Sequence, residues 1–322
     1  MKAIITDNTH PILAAKLQQA GVDTLVSTDL SYDELLALMP TCDALVVRSK
    51  ITIDRHFIDH IGPRCRVIGR VGAGMETIDV DYAESRGIRC VNSPEGNRDA
   101  VGEHATALLL ALFNKIATAN YEVRQGLWRR EANRGLEVKG KTVGIIGFGN
   151  MGAAFAQRLQ GFECDVVAYD KYLPAHTRAN FQRLSHVRQV TLEELQAQAD
   201  ILSLHVPLTD DTRYMVDAPF LDAFAKPLYV INTARGAVVK TRDLAAKMQQ
   251  GKVLGAALDV NEYENMSKDG LDLDTLPADF RYLLDSPRTL LTPHVGGWTV
   301  ESKYKLAAFL ADKILAVLKP VE

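Results

Sequence analysis

Val143-Gly144-Ile145-Ile146-Gly147-Phe148-Gly149-Asn150-Met151-Gly152 is the stretch on which the fold of this 322-residue chain turns. Its first half is a short apolar run of the kind that forms a strand buried on both faces of a parallel sheet. Its second half is a GxGxxG turn, and a helical pattern follows over Ala153–Leu159. Gly147 permits the tight turn, Gly149 lets backbone approach a pyrophosphate, and Gly152 lets helix and strand pack closely. The helix start, with Phe148, Asn150 and Met151 around it, offers N–H groups and a partial positive charge to phosphates. Glycine hexads alone are weak signals. Here Asp170 ends the next strand, Val166–Tyr169, at about the 20-residue interval of a dinucleotide site. Its carboxylate would accept from ribose hydroxyls and repel a 2′-phosphate, which favours NAD over NADP. Lys171 beside it weakens that preference.

Outward from this point, buried runs alternate with amphipathic helices in both directions. Upstream, the strand-like runs are Ala3–Thr6, Leu25–Ser27, Ala44–Val47 and Val67–Ile68, with helical patterns at Pro11–Ala20 and Tyr32–Met39. Downstream they are Ile201–Val206, Tyr229–Ile231, Val253–Val260 and Thr289–Leu291, with helices at Leu192–Ala199 and Leu244–Met248. Between the two series, Ala100–Ala119 reads as one long apolar helix that crosses between domains, followed by a polar surface connection from Arg124 to Lys141. The expected fold class is α/β, with two doubly wound parallel-sheet domains. The tail helix, Ser302–Leu318, is expected to return to the first domain. The domains are then 1–99 with 299–322, and 100–298.

Three later strand ends carry residues that chemistry can use: Asn232-Thr233-Ala234-Arg235-Gly236, then Asp259-Val260-Asn261-Glu262-Tyr263-Glu264, then Thr292-Pro293-His294-Val295-Gly296-Gly297. Ligands in open α/β sheets bind at these ends. An arginine, an acid and a histidine on adjacent ends would supply a carboxylate anchor and a buffered proton carrier.

NTARG, GAALDV and TPHVGG, in that order after the glycine loop, resemble the D-isomer-specific 2-hydroxyacid dehydrogenase family over nearly the whole chain. The resemblance implies a Rossmann NAD-binding domain and a flavodoxin-like substrate domain. It implies that Arg235 binds the substrate carboxylate, that His294 is the general acid/base, and that Glu264 is its partner. Family members often have proline after this glutamate, where Asn265 stands here, and the loop Met266–Pro287 is longer than the family minimum. Asp259 and Gly296 match the nicotinamide end, Thr233 and Ala234 the loop beside the cofactor, and His205-Val206-Pro207 a segment on its adenosine side. His205 is read as structural rather than catalytic, and His104 as part of the interdomain helix.

In the first domain, Arg70-Val71-Gly72 resembles the family's substrate loop, and Arg48-Ser49 another cleft segment. Arg48, Arg70 and Arg130 together resemble the phosphate-holding positions of 3-phosphoglycerate dehydrogenases, and Asn92–Asn97 resembles that subgroup more closely than lactate dehydrogenases. The expected function is therefore NAD-dependent hydride transfer with a D-2-hydroxy acid, 3-phosphoglycerate among the choices. Glyoxylate/hydroxypyruvate reductase and D-lactate dehydrogenase are the alternatives, and an NAD(H)-sensing binding protein is the alternative of another class. Formate dehydrogenase is disfavoured by Glu264. No regulatory domain is expected after the tail helix. The family also implies a homodimer through the cofactor domains, with Val101–Phe113 a contributor.

Composition bounds the rest. Hydrophobic residues at 47% and charged residues at 24% are ordinary for a globular protein. A net charge of -3 gives no nucleic-acid footprint. Four cysteines without a CxxC pair, and no clustered histidines, predict reduced thiols and no metal site. No apolar run reaches the ~20 residues that span a bilayer. The expected compartment is the cytoplasm.

Overall fold

The computed structural model describes residues 1–264 and 275–319. Asn265, part of the long loop expected after it, and residues 320–322 lie outside the described residues. The chain divides into two compact units, Met1–Arg98 with Trp298–Glu322, and Asp99–Gly297.

The first unit holds five strands: β1 (Lys2–Ile5), β2 (Asp23–Val26), β3 (Ala44–Val47), β4 (Val67–Arg70) and β5 (Arg89–Asn92). All pairs are parallel, in the order β2-β1-β3-β4-β5, which is the flavodoxin-like winding. β3 is buried at every position because helices cover both faces. The tail helix, Val300–Leu318, belongs to this unit. Leu306, Leu310 and Ile314 join the core beside β1 and β4, and Lys313 reaches Glu95 at 2.8 Å.

The second unit holds seven strands: β6 (Thr142–Ile146), β7 (Asp165–Tyr169), β8 (Val187–Gln189), β9 (Ile201–Leu204), β10 (Leu228–Asn232), β11 (Val253–Leu258) and β12 (Thr289–Leu291). They are parallel in the order β12-β11-β10-β9-β6-β7-β8. The winding direction reverses between β6 and β9, so the crevice of this Rossmann-type sheet lies between the turns that follow these two strands.

The expected single helix over Ala100–Ala119 is two helices, Arg98–Phe113 and Ile116–Arg124. Lys115 takes a left-handed conformation, φ 51°, and breaks the ladder. The first helix turns Val101, Ala105, Leu108, Leu109 and Phe113 into the core, whereas the second buries none of its residues. No helix of the described residues is long and apolar enough to cross a membrane.

Candidate active site

β6 runs into Gly147, whose φ of 89° is open to glycine and strained for other residues. A Cβ there would lie 2.6 Å from the His205 carbonyl oxygen, so the turns after β6 and β9 touch. A Cβ on Gly152 would lie 2.1 Å from the Gly147 oxygen, which is how the helix Asn150–Leu159 closes onto its own strand. Beside Gly149 a Cβ meets only the His176 ring, at 4.0 Å, so this stretch of backbone faces open space.

Asp170 closes the same crevice. Its carboxylate accepts the Phe148 N–H at 2.7 Å and the Tyr172 N–H at 3.0 Å. The Phe148 side chain is wholly buried and stacks on Phe181. Lys171 pairs with Asp211 at 2.6 Å. After β9, His205 Nε2 lies 2.8 Å from the Ser203 hydroxyl. Burial pushes the imidazole down to about 3, which keeps it neutral, and its Nδ1 is enclosed with no hydrogen-bond partner. Val206 and Pro207 continue this turn.

After β10, the buried Asn232 ties the next turn to itself. Its Oδ1 accepts the Ala234 N–H and its Nδ2 donates to the Arg235 carbonyl, both at 3.0 Å. The Thr233 hydroxyl oxygen is enclosed and without a partner. Arg235 is half-buried, with Nη1 donating to the Ala234 carbonyl at 2.7 Å.

After β11, Asp259 is 2% exposed and organises everything near it. Its carboxylate accepts from the Thr292 hydroxyl at 2.6 Å, Val295 N–H at 2.9 Å and Gly296 N–H at 2.8 Å, and lies 3.2 Å from His104 Nε2. Burial alone would raise its pKa. The hydrogen bonds from His104, Thr292, Gly296 and Val295 outweigh burial and hold it at about 2. The backbone of Asp259 contributes too, accepting the His294 N–H at 2.7 Å.

The two glutamates that follow part company. Glu262 accepts from the Tyr214 hydroxyl at 2.8 Å and the Thr241 N–H at 3.0 Å. Glu264 accepts the Asn261 N–H at 2.7 Å through Oε1, and its Oε2 lies 2.9 Å from His294 Nδ1. The Glu264 hydrogen bond raises the His294 pKa, and burial works against it. The charges of Glu264 and Asp259 add to the rise, while the Arg235 charge opposes it. Arg235, Glu264 and His294 thus come from three adjacent strand ends, and the imidazole sits in the field of all three charged groups.

In the first unit, Arg48 and Ser49 follow β3, and Val71 and Gly72 follow Arg70 at the end of β4. Arg70 Nε donates to the Arg48 carbonyl at 3.2 Å, and Val71 N–H to the Val47 carbonyl at 2.9 Å. Arg130 belongs to the second unit and is exposed, beside Arg129, which pairs with Glu122 at 3.5 Å. Sequence reasoning missed the chemistry of His104. It reaches Asp259 and Thr292 across more than 150 positions of chain, and no local pattern marks such a contact.

A Rossmann-type sheet with an acid-terminated second strand and an Arg–Glu–His set on neighbouring strand ends defines a class of dinucleotide-linked proteins. Residues 106–296 match the family described as D-isomer specific 2-hydroxyacid dehydrogenase, NAD binding domain. The chain belongs to that family. A hydroxypyruvate reductase from Thermotoga maritima is 35% identical over 298 residues, covering 91% of this chain and 90% of its own length. A D-3-phosphoglycerate dehydrogenase from Archaeoglobus fulgidus is 32% identical over 319 residues, 99% of this chain, which spans 58% of that relative's length. The solved structure of a glyoxylate reductase from Paecilomyes thermophila superposes with a TM-score of 0.85 at 23% identity, over 99% of this chain and 96% of its own, a likeness of fold.

Proposed function

We propose that this protein transfers hydride between NAD(H) and a small D-2-hydroxy acid or 2-keto acid, with Arg235, Glu264 and His294 as its catalytic residues. The observation that carries the reading is the 2.9 Å contact between Glu264 and His294 Nδ1 on strand ends next to Arg235. With Nδ1 engaged by the carboxylate, Nε2 is the nitrogen left to face a substrate. The Arg235 guanidinium is a planar partner for the substrate carboxylate and stabilises charge developing on the neighbouring carbonyl oxygen. In reduction, the His294 imidazolium gives a proton to that oxygen. In oxidation, the neutral ring takes it back.

The second unit is the cofactor domain in this reading and the first the substrate domain. The residues fit a dinucleotide. Open space beside Gly149 and the helix start at Asn150 and Met151 suit the pyrophosphate. The unpartnered Thr233 hydroxyl and His205 Nδ1 are buried polar atoms that a ligand would satisfy. Val206, Pro207, Ala234, Asp259 and Gly296 complete the wall. When bound, the nicotinamide supplies or accepts the hydride. Asp170 supports NAD over NADP, and Lys171 beside it pairs with Asp211.

Arg48 and Arg70, on adjacent strand ends of the first unit, support a substrate with a second anionic group. 3-Phosphoglycerate is the leading choice, and Ser49, Val71 and Gly72 of the same unit belong to the same proposed subsite. NADH absorbance followed against 3-phosphohydroxypyruvate, hydroxypyruvate, glyoxylate, pyruvate and 2-ketoglutarate tests the proposal. Turnover with at least one keto acid, lost in Arg235→Ala, is the expected result. Tight NADH binding without turnover on any of them would favour a sensor instead.

A further inference from the structure

The sheet of the first unit has a switch point of its own, between β1 and β3, where the crevice at the strand ends opens. Asp7 and His10 follow β1, and Arg48 follows β3. Asp7 accepts the Arg48 N–H and the Thr6 hydroxyl, both at 2.9 Å, which fixes the backbone on either side of this crevice. The Arg48 guanidinium carbon stands 4.0 Å from the centroid of the Trp298 ring. Trp298 is held where it stands. The next residue, Thr299, caps the helix Val300–Leu318 in a reciprocal box with Ser302. Trp298 is nonetheless 58% exposed, an uncommon position for the largest side chain unless one face has work to do. One turn further along the helix, Tyr304 meets His10 edge-on at 5.2 Å and continues the aromatic wall.

A guanidinium stacked on an indole gives up its face and keeps its N–H donors in plane, aimed at whatever approaches edge-on. We propose that Trp298 is a positioning residue that fixes the Arg48 guanidinium as the recognition edge for the second anionic group of the substrate, a phosphate or a carboxylate. The proposal rests on the substrate reading above and adds the residue that sets its selectivity.

The chain contains two tryptophans, so Trp128→Phe leaves Trp298 as the sole indole emitter. The full-length Trp128→Phe protein is titrated with inorganic phosphate and with malonate at matched ionic strength. The expected result is a saturable change in Trp298 emission that disappears when Arg48→Gln is added, the tighter of the two anions naming the group. No saturable change, or one that survives Arg48→Gln, overturns the proposal. This readout needs no turnover, so failure of the dehydrogenase reading would show separately, as no NADH oxidation with any keto acid. In turnover, Trp298→Ala is expected to raise KM about threefold to tenfold more for the keto acid with a second anion than for glyoxylate, the range a stacked cation is worth. Trp298→Phe should recover most of that difference. Equal rises on both substrates would also overturn it.

Discussion

His294 lies at φ 53°, a left-handed conformation that a non-glycine residue keeps only when its surroundings impose it. The constraint is visible: its N–H is held by the Asp259 carbonyl, its Nδ1 faces Glu264, and the residues that follow hang from the Asp259 carboxylate. The ring's pKa is raised chiefly by Glu264. Reduction needs the imidazolium, so its rate is level below the His294 pKa and falls as pH rises through it. Glu264→Gln removes the charge that raises the pKa, and the fall-off should move to lower pH, with kcat near neutrality dropping about tenfold or more. A pH–rate profile of ketone reduction decides this, and an unmoved alkaline limb would remove Glu264 from the role. The proposed trio of Arg235, Glu264 and His294 was legible in the sequence because each residue sits in a short motif at a strand end. That Glu264 and not Glu262 serves the histidine was legible only through family resemblance. The geometry now supplies its own reason, since both Glu262 oxygens are engaged by Tyr214 and Thr241.

At the scale of elements, the turns after β10 and β11 pack backbone to backbone. A Cβ on Gly236 would fall 1.9 Å from the Asn261 carbonyl oxygen, with no flexible side chain to yield. Gly236→Ala must push apart the turns that carry Arg235 and Glu264. Displacements of about 1 Å in a catalytic group cost on the order of 100-fold, and kcat/KM should fall by that much while the far-UV circular dichroism stays native. Asp259 makes a prediction of another kind. Its carboxyl titrates at about 2 in the folded protein against an ordinary 3.8. The ionised form therefore stabilises the fold by about 2 kcal/mol above pH ~4, and that contribution is lost as pH falls toward 2. Asp259→Asn should be less stable than the parent by at least this amount at neutral pH, with the gap narrowing in acid. Denaturant melts of both proteins from pH 7 to 3 measure it, and a constant gap would contradict the titration. Central strands such as β3 and β6 were readable because burial on both faces makes them continuous apolar runs. β5 and β8 were not, because an edge strand of three or four residues can be polar, as Arg89 and Arg188 are. The break at Lys115 was invisible as well, since the apolar pattern runs on through it into Ile116.

For the whole molecule, that break changes which surface is available for association. From the sequence, the apolar residues of Val101–Phe113 are expected to contribute to a homodimer boundary. In the structure the half before the break is turned into the core, and a Cβ on Gly102 would lie 2.8 Å from the Ala154 backbone. The helix after the break presents Ile116, Tyr121 and Val123 to solvent, and the following turns add Leu127, Leu136 and Trp128, the last 79% exposed. Isolated exposed apolar residues are unremarkable, but these six fall within one short stretch of chain. The family resemblance implies a homodimer through the cofactor domains, and we propose that residues 116–136 stand at the centre of that interface. Light scattering of the purified protein should give twice the chain mass. Val123→Glu combined with Trp128→Glu should halve that mass, because a carboxylate desolvated without a partner costs several kcal/mol in each copy. The variant should keep its helical content, since the residues replaced touch no core. A parent protein that scatters as a monomer at micromolar concentration would leave this apolar stretch without a partner of its own kind.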